Sequence, residues 1–475
     1  MTNRQLIKDE LSGLYGESVL QDMGEIISLY DFYDGKGQKW PLPAGLDYIP
    51  TRKRTNIVKK LIKSEARFMF GRTPEIHIRP MHSQDSQIAL EIQHTIDDTL
   101  ENCSFGDRLL KAARDCFIGK RVAIRLRLDN DNNADICFLP SPEFVFEPME
   151  DDPSQLKKII FFYQINDEDY PRNQRIFKQK LEMIDGKCYI TEGFYNGYGE
   201  LVESKYDLKD TGLDFIPARV IINDGLTGDL IGESDVAELM DNQTIYNRLT
   251  SDDIDALRFN MFPQRVAVDS SSQSLKNMVA APGALIDLQT DPAAMSGQAS
   301  LKMLEPSFGY DERLEHTLTR IKSDMYEIIS VPNVSVDQLK GVVNSGKGLR
   351  TLYWELISRC EEKWAVWEPA LKWMVRSLIK LLIQAGKIPQ IDFDYKISIE
   401  HLYPLFEDEE EERLKDLQEV KENVRSRSAY IEKWDIAPDS QDELGKINEE
   451  QSDIIQQSHT QNDDIDNIPV ANEQS

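Results

Sequence analysis

The residues with the most evident chemical potential are Gly341-Val342-Val343-Asn344-Ser345-Gly346-Lys347-Gly348, spaced G-x-x-x-x-G-K-G. In a phosphate-binding loop of that spacing, backbone amides wrap the phosphates, the lysine reaches the β and γ oxygens, and a following Ser or Thr holds magnesium. Here Gly348 stands where the hydroxyl is needed. Such a loop also leaves a buried strand, whereas Ser330 to Lys340 contains Pro332 and only scattered apolar side chains. The apolar run that ends in an acid, Ile159 to Asp167, lies far upstream, although the acidic strand of such enzymes normally follows the loop. A loop between helices is the better reading, and a nucleotide-binding ATPase using Lys347 stands as the enzyme alternative.

Other constellations are weaker. Asp129, Asp131, Asn133 and Asp135 have the spacing that opens a calcium loop, but Ala134 replaces the glycine of the sixth position and Pro140 the glutamate of the twelfth. A polar hairpin turn fits better. His77, His82, His94, His316, His401 and His459 are dispersed, and neither metal-ligand spacing nor a nucleophile elbow is present. No metal, cofactor or catalytic residue is therefore expected. Cys103, Cys116, Cys137, Cys188 and Cys360 form no C-x-x-C pair and read as reduced, partly buried thiols. The densest basic patch, Arg52, Lys53, Arg54, Lys59, Lys60 and Lys63, suits a solvated helix face or a subunit contact better than a DNA groove.

Composition sets the limits on partners. The 475 residues are long enough for several domains, and a net charge of −28 repels a DNA backbone over most of the surface. Any DNA contact must be local or weak. Met1 to Glu10 mixes charges without an apolar signal core, and the most apolar helical stretch, Trp373 to Ala385, is interrupted by Arg376 and Lys380. Neither secretion nor a membrane partner is expected.

The elements that must position these residues read as α+β. Ile57, Leu61, Ile62 and Phe68 share a helical face that stops at Gly71 and Pro74; Ile88, Ile92, Ile96 and Leu100 mark a second helix, and a third ends at Gly119. The period then changes to two, with Val122, Ile124, Leu126 and Leu128 returning through a polar turn to Ile136 to Leu139. Strands fit Lys158 to Ile165, Arg175 to Ile184, Tyr189 to Asn196 and Leu201 to Tyr206, closing a domain near Ile216-Pro217. Gly232 to Asn260 predicts a helix about 42 Å long, with Val236, Leu239, Met240, Tyr246, Leu249, Ile254 and Leu257 on a thin apolar stripe. After an excursion with strand-like pieces at Arg265 to Val268 and Ala284 to Leu288, a second long helix starts near Phe308. Leu314, Leu318, Ile321, Met325 and Ile328 form its seam. Leu349 to Leu378 is strongly helical, with Trp364, Trp367 and Trp373 in its far half and Pro369 predicting a bend. A strand over Ile391 to Ile399, an acid-led helix from Glu407 and a short helix over Ala429 to Trp434 complete the order, and the chain beyond about Ile454 has the composition of disorder.

That order resembles the portal proteins of tailed double-stranded-DNA bacteriophages, most closely those of long-tailed phages of Gram-positive hosts. Gly232-Glu233-Ser234-Asp235 opening a long helix that contains Tyr246-Asn247, the Phe-Gly, Pro and Ile of Phe68 to Ile76, and Asn344-Ser345-Gly346 before a helix all look like segments of that group. Ile397 to Pro404 and Ser428-Ala429-Tyr430-Ile431 are similar too. Arg425 to Ser428 departs from the glycine-led turn of many relatives, and Leu349 from a small residue.

The resemblance implies a portal fold assembled as a ring, typically dodecameric, at one capsid vertex. By analogy 1–231 is a wing, 232–260 and 308–329 are stem helices, and 261–307 is a β-containing clip. Residues 330–346 are a tunnel loop, 347–387 a bent wing helix, 388–453 a mainly helical crown and 454–475 an acidic, polar tail. It implies as partners the terminase large subunit, a head-completion or adaptor protein, the major capsid and scaffolding proteins, and transient, sequence-independent contact with double-stranded DNA. It implies a place in the virion, reached from the host cytoplasm during assembly. Lys340, Asn344, Ser345 and Lys347 are the implied DNA-facing residues. A non-portal assembly or adaptor protein that shares only the helical rod is the second alternative.

Overall fold

The computed structural model describes residues 17–40, 48–82, 85–129, 131–152, 155–166, 174–196, 200–261, 264–270, 290–291, 293, 299–304, 309–334, 346–390, 394–405, 409–434, 436 and 443–448. Its elements in chain order are α1 (Glu17–Tyr33), α2 (Ile57–Phe70), β1 (Glu75–Pro80), α3 (Ser86–Asn102), α4 (Phe105–Gly119), β2 (Arg121–Leu128) and β3 (Ala134–Pro140). There follow β4 (Phe144–Pro148), β5 (Leu156–Asn166), β6 (Gln174–Ile184), β7 (Lys187–Tyr195), β8 (Leu201–Asp210) and β9 (Ala218–Ile222). The last are α5 (Asp235–Met261), β10 (Gln264–Val268), β11 (Ser300–Leu304), α6 (Asp311–Ile328), α7 (Gly346–Leu352), α8 (Trp354–Gln384), β12 (Tyr395–Glu400), α9 (Glu409–Lys421) and α10 (Arg427–Lys433). The chain divides into two compact units, 1–334 with 352–404, and 335–351 with 405–475.

In the first unit β4 to β8 form an antiparallel meander, as their alternation and turn residues require. One face carries Val145, Ile160, Phe162 and Ile176, which close over Met23 and Ile27 of α1. The other presents Phe161, whose ring lies 5.4 Å from the Arg125 guanidinium of β2. The expected hairpin is present as β2 and β3, and β9 joins β2 on its other side, so this domain continues past Pro217. Strand β12 pairs with β1, Glu75 opposite Glu400, so residues up to Pro404 fold with the first unit.

The turn between β2 and β3 is not a cation loop. Asp129 Oδ1 accepts the backbone N–H groups of Asp131 and Asn133, both at 2.8 Å, while Asp135 turns away to Arg108 and Arg127 at 2.6 and 2.7 Å. Burial works to raise the Asp135 pKa, but hydrogen bonds from the two arginines more than reverse this and hold the carboxyl well below the usual carboxylate range.

The long helix α5 differs most from its expected face. Val236 and Leu239 are buried, but Leu257 is 50% exposed, and from Leu239 onward the buried line is Gln243, Asn247, Ser251 and Asp255. These polar side chains accept backbone N–H groups from the segment that leads into α2 and from its first turn, Gln243 taking those of both Ile57 and Val58. Ile57 donates to Gln243 at 2.8 Å, Thr55 to Asn247 at 3.0 Å, Lys53 to Ser251 at 3.0 Å and Thr51 to Asp255 at 2.9 Å. The geometry explains the repeat: two residues of extended chain advance about 6.6 Å and four residues of helix about 6.0 Å. Alternate amides and every fourth helical residue therefore stay in step. The segment holds Arg52, Lys53 and Arg54 with their side chains exposed.

In α6 the seam contains Ile321 and Met325 as expected, but Tyr326 and Ile329 are buried where Ile328 was expected, and Ile328 is exposed. Helix α8 continues through Pro369, and the helical run that starts at Gly346 is interrupted at Tyr353. In the second unit α9 and α10 are joined at Asp416, which accepts from Trp434 Nε1 at 3.0 Å and pairs with Arg425 and Lys433 at 2.7 and 2.8 Å.

Two outcomes follow. Gln243→Ala leaves the amides of Ile57 and Val58 and the Thr55 carbonyl without their partner and should cost about 2–3 kcal/mol, whereas Ile245→Ala, on the exposed side, should change stability by less than ~0.5 kcal/mol. Equal urea midpoints for the two variants would refute the ladder. The depressed Asp135 gives stability that is present above its unfolded pKa and is lost as pH falls through the folded value. Asp135→Asn should therefore flatten the loss of thermal stability below about pH 4, read by calorimetry at a series of pH values.

Candidate functional site

Helices α5 and α6 pack together as a hairpin, and β10 and β11 pair antiparallel between them, Gln264 opposite Leu304 through Val268 opposite Ser300. The 27 residues of α5 give it a length of about 40 Å. Its far end is thinly covered: Phe259 is exposed, Met261 is 67% exposed, and Val266 and Val268 of β10 are exposed as well. Among the described residues, too little apolar surface covers this end of the hairpin to bury it.

The opposite end of the hairpin is built around charge. Arg359 of α8 donates Nε to Glu65 Oε1 at 2.9 Å, Nη2 to Asp235 Oδ1 at 3.0 Å and Nη1 to the Ile328 carbonyl at 3.4 Å. One guanidinium thus holds α2, the start of α5 and the end of α6. Lys363, one turn on, pairs with Glu65 at 2.9 Å and with Asp235, and its ammonium lies 3.7 Å from the centre of the Phe117 ring. Asn223 Nδ2 donates to the other side of Asp235 Oδ1 at 3.2 Å. Glu65 is wholly buried; burial and the nearby Asp235 charge push its pKa up, against the pull of Lys363 and Arg359. At the adjoining surface, Lys60 Nζ donates to the Tyr326 hydroxyl at 2.8 Å, tying α2 to α6. Cys116 and Cys360 are buried near this cluster, and burial pushes both thiols up, which makes them inert.

This cluster positions both ends of the interval in which the sequence-derived residues fall. Lys340, Asn344 and Ser345 lie outside the described residues. Gly346 and Lys347 are the first residues of α7, with the Lys347 side chain outside the description. Among the described residues before it, 331–334 form no strand, and 335–345 lie outside the described residues. No local pattern marks the ionic cluster as a unit, although Glu65 sits between Leu61 and Met69 on the apolar face of α2, where a charge is out of place.

Of the histidines, His401 donates Nε2–H to the Met69 carbonyl at 2.6 Å and stacks on Trp364 with ring centres 4.2 Å apart, a packing role. His77 lies beside Glu75 and Glu400, with ligand atoms within 4.8 Å of one another on the exposed face of the β1–β12 pair. Strand pairing brings these residues together across more than three hundred positions, which no local spacing could reveal. Among the described residues no helix is long and apolar enough to cross a membrane.

The family model described as Phage portal protein, SPP1 Gp6-like, matches residues 17–457. No curated protein matches the chain.

Replacing Arg359 by Met leaves two buried carboxylates with one cation and should cost about 3–5 kcal/mol. Arg359→Lys should fall between, since an ammonium cannot span three acceptors. Urea unfolding ranks the three proteins, and a wild-type midpoint for Arg359→Met would overturn the assignment.

Proposed function

The chain belongs to the phage portal protein family, and on that premise we propose that its copies close into a ring at one capsid vertex, a channel through which double-stranded DNA is packaged, retained and ejected. The match over 17–457 carries the reading, because it spans the wing, stem, clip, loop and crown ranges together and not one motif. The α5–α6 hairpin supports the finer assignment of 232–260 and 308–329 as stem helices and 261–307 as a clip that meets terminase and then head-completion proteins. Its exposed apolar residues favour cover by neighbouring copies. In this reading the ring is dodecameric, of the type found in long-tailed phages of Gram-positive hosts, assembled in the host cytoplasm with capsid and scaffolding proteins and retained in the virion.

Residues 330–346 form the tunnel loop in this proposal, with Lys340, Asn344, Ser345 and Lys347 towards DNA. A channel that passes any sequence must not grip its cargo. A chain at net −28 makes a repulsive wall against phosphate, and loop lysines add brief local attraction. Portal proteins are structural, and Gly348 in place of the magnesium-holding hydroxyl disfavours the ATPase alternative.

Native mass spectrometry with negative-stain microscopy tests the assembly: a closed ring with a central hole is expected, and a monomer at high concentration ends the proposal. A map of that ring should place Lys340 and Lys347 at its narrowest point. Both buried at the outer rim would remove the loop assignment while leaving the ring.

A further inference from the structure

Strand β2 carries Arg121, Arg125 and Arg127 on one face, towards the meander, and Val122, Ile124 and Leu126, all buried, on the other. Two of these arginines have carboxylate partners, Asp22 for Arg121 at 2.5 Å and Asp135 for Arg127 at 2.7 Å. Arg125 is only 6% exposed, and among the described residues no carboxylate lies within ion-pair distance of it. Its contacts are the Phe161 ring and a hydrogen bond to the Tyr163 hydroxyl, whose pKa burial pushes up while the Arg125 charge and that hydrogen bond pull it down. A guanidinium buried to this degree without a carboxylate partner keeps donors for an anion.

Arg125 lines a cavity of about 560 Å³ between β2 and the meander. The nearby acids are already engaged. Glu192 pairs with Lys205 at 2.7 Å and accepts from Gln179 at 2.6 Å, and Asp129 is held by the turn amides. The lining also includes Arg127 and Lys205, each already paired with a carboxylate, and the apolar Phe177, Leu181 and Ile190 of the meander. A cavity of this size with an apolar wall and a few convergent polar groups has the form of a small-molecule site.

We propose that this cavity binds a phosphomonoester, with the Arg125 fork on two phosphate oxygens and the apolar wall against the organic group. Arginine suits the task because its planar fork matches phosphate geometry and remains charged when buried. The site is separate from the tunnel loop and does not depend on the portal reading.

The test is thermal unfolding of the full chain with inorganic phosphate or phenyl phosphate, against sodium chloride at matched ionic strength. Wild type should show a saturable rise, on the order of 2–5 °C at a hundredfold excess over Kd, with phenyl phosphate effective at lower concentration because only it reaches the apolar wall. Arg125→Met should abolish both shifts and leave the ligand-free midpoint unchanged or higher, because an uncompensated buried charge is replaced by a side chain of similar volume. The exposed Arg79→Met should keep both shifts. If Arg125→Met does not fold, Arg125→Lys decides: it should bind at least tenfold more weakly. No saturable shift in wild type, or an undiminished shift in the folded Arg125 variant, overturns the proposal.

Discussion

The Arg359 guanidinium is the contact on which the arrangement of the long helices depends. The root of the hairpin brings together the N-terminus of α5 and the C-terminus of α6, ends of opposite partial charge. Asp235 answers the first and Arg359 the second, and the two side chains then pair with each other. Glu65 fastens the pair to α2, and Lys363 supplies the second cation that keeps two buried carboxylates close to neutral. A point charge cannot do the work of Arg359, because its three acceptors belong to three elements and require separate donors at fixed angles. Residues far apart in the chain thus become one rigid joint. The segment leading into 330–334 leaves from that joint.

The second constraint is a match of repeats. An extended chain exposes an amide on one side every second residue, and a helix presents a side chain on one face every fourth. These steps differ by about half an ångström, so four consecutive pairings stay within hydrogen-bond reach from Gln243 to Asp255. The cost is that α5 spends its buried face on polar side chains and gains little hydrophobic stabilisation over that stretch. Its stability there comes from satisfying backbone amides that burial would otherwise leave unpaired.

This exchange explains what the sequence disclosed and what it hid. The strands β2 and β5 to β8 were legible from alternating residues bounded by turn residues, although β2 is buried on both faces and β8 is exposed on both, and the helices at Ile57 and Trp354 were legible because their apolar residues face a core. The face of α5 was misread because periodicity arguments assume that buried means apolar. The informative signal was the strict four-residue spacing of Gln243, Asn247, Ser251 and Asp255 in a helix with few large apolar residues. The strand β9 was missed because five residues beyond a proline carry no pattern of their own and are fixed only by pairing with β2. The ionic joint was out of reach for a different reason: Glu65, Asp235 and Arg359 are each unremarkable locally, and their meaning lies in contacts across the whole first unit. The residues proposed to face DNA rest on the order of elements alone, since Lys340, Asn344 and Ser345 lie outside the described residues.

The same exchange bears on assembly. A helix that devotes its inner face to backbone amides has fewer apolar side chains inside, and those it does carry, such as Ile245, Leu257 and Phe259, face outward. In a monomer they are an aggregation hazard; in the proposed ring they would be the surface that holds copies together. Cohesion is needed there, because copies at net −28 repel one another as they repel DNA. Apolar contact is non-directional and insensitive to that repulsion, whereas ion pairs across the same interface weaken with salt. In the proposed ring the chain would therefore remain acidic enough to let DNA slide while its hairpins hold together through surfaces that carry no charge.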